Sequence, residues 1–350
     1  MSMSQKIKVM VVDDSALVRK VITDILESDK DIEVIGTANN GKSAVFKNLT
    51  LNPDVITMDI EMPIMDGLEA LQEIIKTNPK PVIMMSVLTQ YGAEATFRAL
   101  EFGAIDFIPK PSNLLAMSMD DIAELLISKV KAVARVSLKI SHSKDIMNIQ
   151  STKLTVDSNQ KRVKKIVGIG TSTGGPSALQ RVLQKLPGNF PSPILVVQHM
   201  PPGFTKAFAE RLDSLCHVSV KEAEDSEEAV DGCVYIAPGD SHIVMEKMNN
   251  KRIIRLSQSE KVSGHRPSAD VLFQSMVKAD LENNIGVIMT GMGRDGAMGI
   301  KEIHNNGGYT IAQDESTSVV YGMNRVAVEM GAVDAVVDLD SIPDEIVARI

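Results

Sequence analysis

Short apolar runs alternate with amphipathic stretches along most of the chain. "KIKVMVVDD" is continuous in apolar residues and reads as a buried strand, and "SALVRKVITDILES" carries the helical spacing. The pattern repeats with strands at "IEVIGTA", "PDVITMDI", "PVIMMSVL" and "AIDFIPKP". Helices are predicted between them at "GKSAVFKNLTLN", "DGLEALQEIIKTN" and "GAEATFRALEFG", and a last one over "DDIAELLISKVKAVARV". From about Ser137 to Lys164 the periodicity fails in a stretch rich in Ser, Lys and Asn, which reads as a linker. The alternation resumes with "KKIVGIG", "PSALQRVLQKL", "SPILVVQH" and "GFTKAFAERLDSL". Later strands are expected at "GCVYIAP", "HIVMEK", "KRIIRLS", "IGVIMTG" and "YTIAQD". The middle ones are short and closely spaced, so an antiparallel hairpin is expected to interrupt this second sheet.

Apolar strands alternating with helices imply doubly wound α/β folds with parallel sheets. The predicted organisation is a domain at 1–136, a linker at 137–164 and a second α/β domain at 165–350 with its hairpin. At 350 residues each half is long enough to bury its own core. An apolar content of 44% with 23% charged residues suits a globular protein. No apolar run nears the roughly 18 residues of a membrane span, and the first residues lack a signal-peptide layout. Two cysteines, Cys216 and Cys233, give no disulfide framework, so a cytoplasmic location is expected. The net charge of −8 argues against nucleic-acid backbone binding.

Ligands of open parallel sheets bind beyond the carboxyl ends of the strands. In the first half those ends carry Asp13 and Asp14, Asp59, Ser86 and Lys110. Carboxylates so close repel one another unless a cation sits among them, and hard oxygen donors suit Mg²⁺. The plainer alternative is an acidic loop edge with one chance ion pair. Five suitable groups at four strand ends favour a phosphoryl site with Asp59 as the attacking group.

The second half opens on "GIGTSTGGP". Gly168-x-Gly170 invites a dinucleotide reading, but that fold needs an acid near the end of the next strand, and none occurs between Gly168 and Glu210. The same stretch has the Gly170-Thr171-Ser172-Thr173-Gly174 spacing of a nucleophile turn between strand and helix. The alternative is a serine that only caps its helix. A nucleophilic serine needs a base and an orienting acid. His199 closes the next strand and is the first choice of base. His242 and His265 come second, while His142, His217 and His304 fall in the linker or near helix ends. Asp295, in the glycine-rich "TGMGRDGAMG", is either the acid or a turn aspartate before glycine.

The first half resembles the receiver domain of response regulators through "VVDDS", "MDIEMPIMDG", Ser86 and "FIPKP". The second resembles the chemotaxis protein-glutamate methylesterase catalytic domain through "IGTSTGGP", "VQHMPPGFT", "YIAPGDSH", "GHRPSADVLF" and "TGMGRDGAMG". The resemblance implies that Asp59 accepts a phosphoryl group from a chemotaxis histidine kinase. It implies Mg²⁺ on Asp13, Asp14 and Asp59, phosphoryl contacts from Ser86 and Lys110, and Phe107 as an aromatic switch. In the second half it implies a triad of Ser172, His199 and Asp295, with the backbone N–H groups of Thr173 and Met292 receiving an oxyanion and no cofactor in ester hydrolysis. The implied activity is hydrolysis of glutamate methyl esters on methyl-accepting chemoreceptors, with glutamine deamidation beside it, in the cytoplasm at or near receptor arrays. The expected control is a receiver that restrains the esterase until phosphorylated. The rival output domains are a dinucleotide-binding fold and an inactive scaffold.

Overall fold

A computed structural model describes residues 6–87, 90–110, 118–134, 165–249, 251–279 and 284–350. The chain divides into two compact units, Met1–Met147 and Asn148–Ile350. The linker expected at 137–164 lies outside the described residues.

The first unit is a five-stranded parallel sheet in the order β2-β1-β3-β4-β5, flanked by helices. Its strands are β1 (Ile7–Val12), β2 (Ile32–Ala38), β3 (Val55–Asp59), β4 (Val82–Ser86) and β5 (Asp106–Pro109). Its helices are α1 (Ala16–Glu27), α2 (Gly41–Leu51), α3 (Gly67–Thr77), α4 (Gln90–Glu101) and α5 (Met119–Val133). β3 and β4 are buried throughout, as continuous apolar runs require in a sheet covered on both faces. Local chemistry starts the helices where the sequence places them. Ser15 accepts the Val18 N–H ahead of α1, and Asp66 and Glu69 close a capping box on α3. The cap of α3 ends the loop that leaves Asp59.

The second unit is a seven-stranded, wholly parallel sheet in the order β14-β13-β12-β6-β7-β9-β8. The strands are β6 (Ile166–Thr171), β7 (Ile194–Gln198), β8 (Ser219–Glu222), β9 (Cys233–Ile236), β12 (Asn284–Ile288), β13 (Tyr309–Gln313) and β14 (Ala335–Val337). The predicted hairpin exists as β10 (His242–Met248) and β11 (Lys251–Ser257), but it does not interrupt this sheet. It forms a separate two-stranded sheet packed on α8 (Ala269–Ala279), where the Met245 N–H donates to Ser275 Oγ at 2.9 Å. The remaining helices are α6 (Gly175–Gln184), α7 (Phe204–Leu215), α9 (Ala297–Asn305), α10 (Met323–Glu329) and α11 (Ile342–Ala348).

β6 is the pivot of this sheet. The chain lays β7, β8 and β9 on one side of it, in the spatial order β7-β9-β8, and returns to lay β12, β13 and β14 on the other. In open parallel sheets, ligands bind where the winding direction reverses, which here is outside the carboxyl ends of β6 and its neighbours. Gly168 and Gly170 on β6 serve packing. A Cβ on Gly168 would lie 2.5 Å from Met276 Sδ, and one on Gly170 would lie 2.7 Å from the Ala269 Cβ. The glycines that suggest a dinucleotide turn therefore let α8 approach the sheet.

Candidate active site

Three adjacent strands deliver the predicted triad to one edge. Ser172 follows β6, His199 follows β7, and Asp295 lies in the loop between β12 and α9. His199 Nε2 stands 2.8 Å from Asp295 Oδ2, with both side chains almost wholly buried. The His199 N–H donates to the Thr171 carbonyl at 3.2 Å, which sets the histidine beside the serine turn. Its Nδ1 is buried and has no hydrogen-bond partner among the described residues. That ring nitrogen is available to a donor.

Ser172 is not a helix cap. The N-cap of α6 is Gly174, at φ 77°, a left-handed conformation that glycine adopts freely. The Ser172 backbone is tied on three sides. Its N–H donates to Thr290 O at 3.0 Å, and its carbonyl accepts from the Gly175 N–H at 2.8 Å and from Gln198 Nε2 at 3.0 Å. The Gln198 amide also donates to the His199 carbonyl at 3.1 Å, so one buried side chain ties the backbones of Ser172 and His199 together. The sequence reading missed Gln198. Its signal was a polar residue closing an otherwise apolar strand.

Thr173 is buried and Met292 half-buried beside this turn. A Cβ on Gly291 would fall 2.9 Å from the Ser172 Cβ, so the backbone leading into Met292 runs against the serine. Among the described residues neither the Thr173 nor the Met292 N–H has a partner.

Asp295 is 1% exposed and is held by donors from the start of α8. Burial alone pushes its pKa up. The hydrogen bond and charge of His199 outweigh that, with the Ser268 hydroxyl and the Ala269 N–H adding to them, and lower it to about 2. The second-choice histidines have other surroundings. His242 is fully buried and bonded at both ring nitrogens, to the Ser268 N–H and to Glu260 O. His265 stacks on the His199 ring, with centroids 3.8 Å apart. His217 is exposed and His304 pairs with Asp334; His142 lies outside the described residues.

In the first unit, the carboxylates of Asp13, Asp14 and Asp59 lie within 4.8 Å of one another. Lys110 Nζ stands 3.0 Å from Asp13 Oδ2 and 2.6 Å from Asp59 Oδ2. Burial pushes the Asp59 carboxyl up to about 6; the hydrogen bond and charge of Lys110 pull the other way. One ammonium against three carboxylates leaves net negative charge, and this all-oxygen donor set fits a hard divalent cation. Asp59, Ser86 and Lys110 line a cavity of about 30 Å³. Thr96 Oγ1 donates to Ser86 Oγ at 2.7 Å. Phe107 lies on β5, three residues before Lys110, and is buried edge-on against Phe97, with ring centroids 6.2 Å apart.

Fold and site together define a receiver unit joined to an α/β unit with a serine, histidine and aspartate on adjoining strand ends. The response regulator receiver family matches residues 9–118, and the CheB methylesterase family matches residues 167–346. A protein-glutamate methylesterase/protein-glutamine glutaminase of Pyrococcus horikoshii is 46% identical over 350 residues, covering 99% of this chain and 95% of its own. One from Halalkalibacterium halodurans is 47% identical, covering 99% of both chains. The crystal structure of the Thermotoga maritima CheB methylesterase catalytic domain covers 54% of this chain and 100% of its own, at 45% identity and a TM-score of 0.53. The chain belongs to the protein-glutamate methylesterase/protein-glutamine glutaminase family. Among the described residues no helix is long and apolar enough to cross a membrane.

Proposed function

We propose that the chain hydrolyses glutamate methyl esters on methyl-accepting chemoreceptors through Ser172, under control of its receiver unit. The observation that carries this reading is the His199 ring, bonded to Asp295 through Nε2 and unpaired at Nδ1, at the strand end next to Ser172. His199 Nδ1 takes the Ser172 hydroxyl proton as Oγ attacks the γ-carbonyl carbon of the ester. The negative oxygen of the tetrahedral intermediate receives the Thr173 and Met292 N–H groups. Asp295 keeps the proton on Nε2 and stabilises the imidazolium. The imidazolium proton passes to the departing methoxide, and methanol leaves. His199 then deprotonates a water, which attacks the acyl carbon; Oγ leaves, recovers its proton and frees the glutamate carboxylate. A glutamine side chain follows the same route with ammonia as the leaving group, and no cofactor enters either reaction.

The receiver site suits acceptance of a phosphoryl group from a chemotaxis histidine kinase, with Asp59 Oδ as the nucleophile toward phosphorus. Ser86 and Lys110 contact the phosphoryl oxygens, and Phe107 reports their arrival. Asp13, Asp14 and Asp59 would hold Mg²⁺, which supplies positive charge against the phosphoryl oxygens when bound. The setting is the cytoplasm, at or near receptor arrays, with no nucleic-acid partner.

The test is a stoichiometric reaction with a serine-directed fluorophosphonate. Modification at Ser172, lost in His199→Gln, is expected. Labelling elsewhere, or none in an active preparation, would remove Ser172 as the nucleophile.

A further inference from the structure

We infer that Ser268 is a positioning residue for the esterase reaction: its hydroxyl fixes the Asp295 carboxylate in the plane that presents Oδ2 to His199. This rests on the triad reading above.

Four donors surround the carboxylate. Oδ1 accepts from Ser268 Oγ at 2.6 Å and from the Asp270 N–H at 3.2 Å. Oδ2 accepts from the Ala269 N–H at 2.7 Å and faces His199 Nε2 at 2.8 Å. The Ser268 hydroxyl makes the short contact on Oδ1, so it resists rotation that would carry Oδ2 off the imidazole. Hydrogen bonds to an ionised carboxylate are among the stronger ones a buried hydroxyl can make.

Ser268 is itself held. It is fully buried, and its N–H donates to His242 Nδ1 at 3.1 Å. A backbone amide only donates, so this Nδ1 carries no proton. The other ring nitrogen, Nε2, lies 3.0 Å from Glu260 O and therefore carries one. His242 is a neutral anchor on the first residue of β10, which is why it is unavailable as the base. The hairpin thereby reaches the catalytic acid through a histidine and a serine.

A plainer role exists for the same serine. Its Oγ lies 3.4 Å from the Val271 N–H, within reach of the start of α8. A residue that only caps the helix contributes stability and leaves the ionisation of His199 unchanged. A positioning residue changes that ionisation, because Asp295 without its neutral donor carries more charge toward Nε2 and raises the basicity of the ring. Other groups face the pair: Asp270 on α8, His265 stacked on His199, and the exposed Arg294 next to Asp295. They are common to wild type and variants, so the shift is read as a difference.

The experiment follows methanol release against pH for the full-length protein. The variants are Ser268→Ala, Ser268→Gly, Asp295→Asn, the double variant Ser268→Ala/Asp295→Asn, and Ser172→Ala. Glycine gives up the hydroxyl but remains a good cap, so it covers the case in which the alanine variant folds poorly. We expect kcat/KM to fall about tenfold in Ser268→Ala and Ser268→Gly. The acid limb of their profile should move to higher pH. In the Asp295→Asn background, removing the hydroxyl should change kcat/KM by less than about twofold. Wild-type kcat/KM and acid limb in Ser268→Gly, or an equal loss in both backgrounds, overturns the inference while the triad stands. Full activity in folded Ser172→Ala removes the triad reading, and this inference with it.

Discussion

Asp295 shows how one side chain answers to its surroundings. Burial raises its pKa and its hydrogen bonds lower it, with a net fall to about 2. A carboxylate whose folded pKa is depressed stabilises the fold above its unfolded pKa, near 4, and loses that contribution as pH falls toward the folded value. Urea unfolding of wild type should therefore lose on the order of 2 kcal/mol between pH 5 and pH 2 that Asp295→Asn does not lose. Equal acid sensitivity of the two proteins contradicts this assignment of the shift. The sequence pointed to Ser172, His199 and Asp295 because their types and local turns are distinctive, and the structure places the last two 2.8 Å apart. It ranked His199 over His242 and His265 only by place on the sheet edge. The neutral state of His242 depends on a backbone N–H from residue 268 and a carbonyl from residue 260, contacts that no local spacing contains. Ser268 escaped notice for the same reason. Within "RPSAD" it is an ordinary small polar residue ahead of a helix.

At the scale of elements, the start of α6 is the most constrained join in the site. A Cβ on Gly175 would lie 2.0 Å from Gln198 Oε1 and 2.5 Å from Thr171 Oγ1. Gln198 cannot move without releasing the carbonyls of Ser172 and His199. Gly175→Ala should lower stability by about 2 kcal/mol and lower kcat more than KM rises. An alanine variant with wild-type melting temperature and kcat would show that the join has slack. Of the strands that the hydrophobic pattern announced, β3, β4, β6, β7 and β12 are buried throughout, whereas β2, β10 and β11 are covered only in part. The two it did not announce, β8 and β14, lie at the sheet edges, where "SVKE" and "AVV" carry little continuous apolar signal. The hairpin was legible from its spacing. Its separation from the parallel sheet was not, since that follows from packing on α8 rather than from anything within β10 or β11.

At the scale of the whole molecule, two units of unlike chemistry share one chain. One gathers carboxylates, a serine and a lysine at one sheet edge; the other brings a serine, a histidine and an aspartate to another. Their two folds were readable because each repeats strand and helix with clear periods. The polar stretch between them offers no period to read. If the receiver restrains the esterase, isolated residues 160–350 should release methanol faster than the unphosphorylated full chain, and Asp59→Asn should hold the full chain at its slow rate with any phosphodonor. Equal rates for the fragment and the unphosphorylated chain contradict restraint.

The most direct test of the central claim is methanol release from receptor membranes carrying methyl-labelled glutamates. It is measured on the full chain with and without a small phosphodonor and Mg²⁺, with Ser172→Ala as the blank. The expected result is release that vanishes in a Ser172→Ala protein of unchanged melting temperature and rises with the phosphodonor. Equal release by wild type and folded Ser172→Ala would contradict the account, because the ester would then be cleaved without the residue on which the whole site converges.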